Sequence, residues 1–234
     1  MPQLDLSRLE ALGFFRYAPA EGLDRIRSAA AAAPRFPFPQ ATRPAYHADA
    51  EELAEHGVRD FLGEVATLLR REGVPIDVAY REVKFSASKG SPAGRGAARL
   101  NADRWLDEDG PSAYVKSMRV SFAPSAEPCE LTEDDWEDGG TYVLFAGDRE
   151  IVIYRSDGAP DDDAEDDWTR ATRATLAILN ELLSAHGSVE RAYAVYGGDD
   201  LVIVFATPEM ARIINAAMDE PRGRLHHGMG NEAR

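Results

Sequence analysis

The 234-residue chain carries a single cysteine, Cys129, so no disulfide can form within it and a reducing compartment is expected. That thiol has acidic neighbours, the wrong surroundings for a nucleophile, and is read as incidental. No run of eighteen apolar residues occurs, so no membrane-spanning helix is expected. The opening residues 1–8 lack the basic and apolar regions of a signal peptide, and a cytoplasmic location is the expectation. Gly-x-Ser-x-Gly, P-loop and dinucleotide-binding patterns are all missing. The five histidines form no catalytic set. His47 and His56 accompany one predicted helix, His186 ends another, and His226 and His227 fall in the tail. Glu52 and His56 at helical spacing lack the second histidine of a metalloprotease helix.

Positive charge is also scarce. There are 26 Lys and Arg against 41 Asp and Glu, a net −15, which disfavours direct binding to nucleic acid phosphates. The excess is local: residues 127–138 hold seven acids and no base, and residues 161–167 hold six and no base. A near-neutral body with two acidic blocks favours a cationic partner surface. Acidic loops that only keep the protein soluble are the plainer alternative. Trp136 stands inside the first block and Trp168 just after the second, an aromatic anchor among carboxylates being a fair design for gripping a basic surface. Trp136 is the better candidate, because Trp168 fits the apolar stripe of its own helix.

What the chain does contain is well-patterned secondary structure. Ser7 to Glu10 has capping-box spacing for a short first helix, and residues 19–33 read as a second, stopped by Pro34. Residues 35–44 form a proline-stiffened connector. From about Asp49 to Arg71, Leu53, Val58, Phe61, Leu62, Val65, Leu68 and Leu69 repeat at helical spacing, predicting one long helix closed by Gly73. The period then changes to two, with strands at 76–85 and 114–122 separated by a Gly- and Ser-rich loop at 86–96. Gly147-Asp148 joins the strands of a hairpin. A helix from Trp168 to Ala185 follows, with Asp166 and Asp167 suited to its positive end. Thr207 caps a last helix that has Pro208 at its first position. The expected fold is a single α+β domain over residues 1–219. Its mostly antiparallel sheet is built from hairpins, with helices packed on one face, a helical region at 1–73, and a loose tail at 220–234.

Tyr193-Ala194-Val195-Tyr196-Gly197-Gly198-Asp199-Asp200-Leu201-Val202-Ile203-Val204-Phe205 writes a hairpin with two carboxylates at its tip. The preceding helix, this hairpin and the helix after it, about fifty residues, resemble the corresponding part of GGDEF-type nucleotide cyclases and of the polymerase palm in type III CRISPR effectors. In those families the acids of the turn and an aspartate ending an earlier strand hold two metal ions, which activate a 3′-hydroxyl and neutralise a triphosphate. The resemblance implies Asp199 and Asp200 as catalytic metal ligands, Asp148 as their partner, and Mg2+ or Mn2+ as cofactor. A Gly-rich turn with two solvated aspartates is the alternative.

The first expectation is therefore a non-enzymatic acidic binding protein without cofactor, most concretely a bacterial immunity-type protein that docks a basic partner such as a toxin. The residues assigned to docking are Glu133, Asp134, Asp135, Trp136, Glu137, Asp138, Asp161, Asp162 and Asp163. The second expectation is a metal-dependent nucleotidyltransferase or cyclase-like palm using Asp148, Asp199 and Asp200.

Overall fold

The computed structural model describes residues 4–32, 43–84, 112–135, 141–155, 166–196, 200–218 and 225–226. Two short helices, α1 (Leu6–Ala11) and α2 (Leu23–Ala32), precede strand β1 (Ala45–Asp49). A helical run in four pieces follows: α3 (Ala50–Glu52), a kinked turn (Leu53–Gly57), α4 (Val58–Glu64) and α5 (Ala66–Arg71). Next come β2 (Ile76–Lys84), β3 (Ser112–Val120), β4 (Cys129–Asp135), β5 (Thr141–Ala146) and β6 (Arg149–Arg155). The chain continues through α6 (Asp167–Ala185), the hairpin β7 (Arg191–Tyr196) and β8 (Asp200–Ala206), and α7 (Pro208–Ala217). No helix among the described residues is long and apolar enough to cross a membrane.

The α+β class holds, but the strands divide between two antiparallel sheets. Strands β2 to β6 form a five-stranded meander, while the smaller sheet has the order β1-β8-β7. Alternation along β7 and β8 explains why the small sheet is covered on both faces. Ala192, Ala194, Leu201, Ile203 and Phe205 join a core shared with α6, the broken helical run and the large sheet. Tyr193, Val195, Val204 and Ala206 face a second core made by α1, α2 and α7. Helix α6 joins the two sheets, because its stripe of Thr172, Thr175, Leu176, Leu179, Leu182 and Leu183 is buried and it packs on both β6 and β7.

Several expectations need correction. The first acidic block is not simply a loop: residues 129–135 are strand β4, paired with β5 from Leu131↔Ala146 to Asp135↔Tyr142. The expected helix from Asp49 to Arg71 is broken at Glu55 and His56, and the first helix is capped by Asp5 rather than Ser7. Trp168, expected in the buried stripe, is 42% exposed. In the tail, Leu225 is buried, both polar ends of its backbone are held by the Asn215 amide, and His226 bridges to Ala194 on β7. The loop at 86–96 lies outside the described residues.

One buried guanidinium organises the small sheet. Arg43, just before β1, donates from Nε to the carbonyl of Phe205 on β8 (2.7 Å), and from Nη1 to the carbonyls of Phe14 (3.3 Å) and Gly13 (3.4 Å). Its Nη2 pairs with Glu190, which leads into β7, and the two side chains are 3% and 0% exposed. Around them Arg16, Arg43 and Arg71 lie 4.6, 5.0 and 4.7 Å from the Tyr17 ring centre, within cation–π range. Burial alone would raise the Glu72 carboxyl, but hydrogen bonds from Arg16, Ser188 and Tyr17 outweigh it and hold the group below its usual range.

Removing one member of a buried ion pair strands the other. Arg43→Ala is therefore expected to lower stability by about 3–5 kcal/mol, read from urea unfolding. An apolar double replacement, Arg43→Met with Glu190→Leu, should cost less than Arg43→Ala alone. An unchanged unfolding midpoint in Arg43→Ala would show that the pair is not buried in solution.

Candidate functional site

The site is built around the end of β1. Pairing with β8 runs from Ala45↔Val204 to Asp49↔Asp200, so the last residue of β1 lies opposite the residue that opens β8. Opposed residues in an antiparallel pair have Cα atoms about 4.5–5.5 Å apart, and like charges in such positions repel. Asp49 is exposed and also caps the helical run: its Oδ1 accepts from the backbone N–H groups of Glu51 (2.8 Å) and Glu52 (3.3 Å). Of the predicted tip residues, Asp199 lies outside the described residues, and Asp200 is fixed by its backbone register with Asp49.

The helical run breaks soon after leaving Asp49. His56 adopts φ 72° and ψ 22°, left-handed geometry that is uncommon for a residue with a Cβ. Gly57 must follow, since a Cβ there would lie 2.5 Å from the carbonyl oxygen of Glu52. A kink that carries a left-handed histidine is the kind of strained local geometry that tends to accompany functional sites. A small cavity of about 30 Å³ opens at the break, enough to admit a water molecule. Its rim straddles the break, with His47, Asp49 and Glu52 on one side and Asp60 and Glu64 on the other.

Breaking a helix creates a new N-terminus whose N–H groups need acceptors. The N-cap of α4 is Gly57, which has no side chain to offer. Acceptors come instead from the large sheet. Glu133 on β4 accepts from the Arg59 backbone N–H (3.3 Å) and from the Tyr142 hydroxyl (2.7 Å), and Tyr142 on β5 takes a backbone hydrogen bond from Val58. Tyr142 is fully buried and its ring lies 4.4 Å from that of His56. Burial pushes the Glu133 carboxyl above its usual range, against the opposing pull of Arg59, Tyr142 and the Arg59 backbone. Burial likewise pushes the Tyr142 phenol up, with the neighbouring Glu133 charge adding to it.

These contacts change the reading of the sequence-predicted residues. The Glu133 side chain is only 3% exposed, so it cannot form part of a docking surface; its position is explained by the helix end it caps. Asp134 and Asp135 belong to β4, where they pair opposite Val143 and Tyr142. Trp136, Glu137, Asp138, Asp161, Asp162 and Asp163 lie outside the described residues. Asp148 is exposed in the two-residue turn between β5 and β6, in the five-stranded sheet, whereas Asp200 belongs to the other sheet. Arg149 beside it forms a two-point pair with Glu181 on α6 (2.5 and 2.7 Å). The neighbouring Asn180 clasps the backbone of Ala192 near the start of β7. The other end of β7, where Tyr196 pairs with Leu201, is roughly 13 Å of strand further on at about 3.3 Å per residue. Asp148 is thus not brought together with Asp200, while Asp49, which the sequence did not single out, is.

Among the described residues no three His, Cys, Asp or Glu side chains are arranged to hold a metal ion. Asp49 ends β1 with a carboxylate, the ligand type that suits Mg2+ or Mn2+ rather than softer metals, and Asp200 is its backbone partner on β8. Comparison with protein-family models, curated proteins and solved structures finds no match. What the described residues show is an α+β protein in which strand β1, ending at Asp49, pairs with strand β8, which opens at Asp200.

Gly57→Ala is expected to destabilise the chain by about 1–3 kcal/mol, because the backbone carbonyl it would meet cannot swing aside. Glu133→Ala, which leaves the Arg59 N–H and the Tyr142 hydroxyl without their acceptor, should cost about 1–3 kcal/mol for each group stranded. Urea unfolding of both variants checks this, and wild-type stability in either would mean that α4 does not need this cap.

Proposed function

We propose that the end of β1 and the tip of the β7–β8 hairpin form a metal-dependent nucleotidyl-transfer site of the palm type. Asp49 takes the part that sequence alone gave to Asp148, and Asp199 and Asp200 remain the turn ligands. The observation that supports this is the register Asp49↔Asp200, which sets an aspartate ending one strand opposite the last residue of the Gly-Gly-Asp-Asp sequence. A bound Mg2+ or Mn2+ would relieve the repulsion between these acids, polarise phosphate oxygens and make a hydroxyl a better nucleophile. The protein's own contribution is to hold Asp49 rigidly. Its Oδ1 is fixed by two backbone N–H groups, leaving Oδ2 for a cation. With Mg2+ or Mn2+ and nucleoside triphosphates, cyclic or oligomeric products are expected. Asp49→Asn and the double variant Asp199→Ala with Asp200→Ala should lose about 100-fold or more of that turnover, and Asp148→Ala should retain it. Absence of turnover with every triphosphate, together with Mn2+ binding indifferent to these changes, would sink the reading.

A second reading, docking of a basic partner such as a toxin by an immunity-type protein, is favoured by one observation. Trp168 is 42% exposed and stands directly after Asp166 and Asp167, at the edge of the second acidic block. On this reading the contact centres on Trp168 with Asp161, Asp162 and Asp163, and Glu133 has no part in it. A lysine-rich peptide should then bind at low ionic strength and lose most of its affinity when Trp168→Ala is combined with Asp→Asn changes at 161, 162 and 163. Binding that survives those changes would eliminate the contact.

A further inference from the structure

The outer edge of β7 is closed by two different parts of the chain. Backbone polar groups of successive strand residues point to opposite edges, so those of Ala192 and Ala194 share the edge away from β8. The Asn180 amide of α6 takes both ends of Ala192, donating to its carbonyl (3.1 Å) and accepting from its N–H (2.7 Å). Ala194 exchanges two backbone hydrogen bonds of 3.0 Å with His226. One residue earlier, Leu225 turns the other way: the Asn215 amide of α7 accepts from its N–H (2.7 Å) and donates to its carbonyl (2.9 Å). The Leu225 side chain is buried in the core that α1, α2 and α7 make against Tyr193 and Val195. Leu225 and His226 thus lie in a groove between β7 and α7, with the main chain held from both sides and the leucine covered.

We propose that this groove is a strand-addition site for an extended, basic, leucine-bearing peptide of a partner, and that Leu225 and His226 are the built-in competitor that keeps it covered. An open strand edge pairs readily with another chain, and recognition by strand addition takes affinity from main-chain bonds and specificity from side-chain pockets. Ala194 and Asn215 supply the first, and the apolar surroundings of Leu225 the second. The segment seated there gives the chemistry of the occupant. Residues 221–227 include Arg222, Arg224, His226 and His227 and no acid, in a chain whose net charge is −15. The field of such a chain draws a basic peptide towards it. Among the described residues the hold on the tail is one leucine, one pair of strand bonds and one amide, a contact small enough to open without unfolding the sheet. The tail's advantage is its covalent link, which presents it at an effective concentration on the order of millimolar. The groove involves neither Asp49 nor Trp168, and it stands whether or not the end of β1 takes a metal.

A fluorescein-labelled peptide copying residues 220–230 tests this on the full chain by fluorescence anisotropy. Leu225→Ala removes the anchor of the tail, and the peptide should bind that variant about tenfold or more tightly than the wild type. A peptide that itself carries Leu225→Ala should lose about 30-fold or more of that affinity. Adding Asn215→Ala to Leu225→Ala in the protein should weaken binding of the unaltered peptide about tenfold, because both main-chain ends of its leucine lose their partner. Equal binding to wild type and Leu225→Ala would overturn the proposal, as would binding indifferent to the peptide's leucine or to Asn215, or no binding to a folded Leu225→Ala chain. If Leu225→Ala fails to fold, hydrogen exchange on the wild type decides. The His226 amide should then exchange about tenfold or more faster than that of Val195, whose N–H points to β8. Excess peptide should speed His226 further while Ala194 stays protected. Protection of His226 equal to that of Val195, or no response to the peptide, would overturn it.

Discussion

The small sheet and everything placed on it depend on one buried guanidinium. Arg43 bonds to the carbonyl of Phe205 near the end of β8, to Gly13 and Phe14 in the N-terminal region, and to Glu190 at the approach to β7. A short strand with the sequence Ala45-Tyr46-His47-Ala48-Asp49 has little intrinsic β preference. Anchored at its start against β8, it keeps one register along its whole length, and that register brings Asp49 to Asp200. A buried ion pair is weak support for net stability but strong support for a particular arrangement, since each member is costly if left alone. The acidic end of β1 is thus set from the opposite end of the same strand.

The elements with strong local patterning were legible in the sequence. The α6 stripe from Thr172 onward, though not Trp168, the Thr207–Pro208 start of α7 and the strand pairing of both hairpins follow from apolar periodicity and turn chemistry, and the structure bears them out. Strand β1 was not legible, because it follows a proline-rich connector and lacks branched residues. Strand β4 was hidden for another reason: Glu130, Glu133, Asp134 and Asp135 are poor strand formers, held there by pairing with an apolar β5. The helix break was invisible because Leu53, Val58, Phe61 and Leu62 keep helical spacing across it. The visible signal was His56-Gly57 itself, a pair suited to left-handed backbone followed by a residue with no Cβ.

The site was less legible than the fold, because an acidic residue does not announce its role. Asp5, Asp49 and Asp166 cap helices; Glu190 holds Arg43 inside the protein; a largely buried Glu72 pairs with the exposed Arg16; Glu133 caps a helix from across a sheet. Composition groups all of them as surface charge. Burial and hydrogen bonding separate them, and the proposed function accordingly moves the weight from the first acidic block to the pairing of β1 with β8. The Asp49-x-x-Glu52 spacing was the one sequence signal for Asp49, and it reads more naturally as a helix cap.

Paramagnetic broadening by substoichiometric Mn2+ tests that relocation most directly, because it reports position without requiring turnover. Amide signals of Ala48, Asp49 and Ala50 at the end of β1, and of Asp200 and Leu201 at the start of β8, should broaden together, while Gly147, Asp148 and Arg149 stay sharp. Broadening centred on Asp148, or spread evenly over the acidic surface, would contradict a cation site built by β1 and the hairpin.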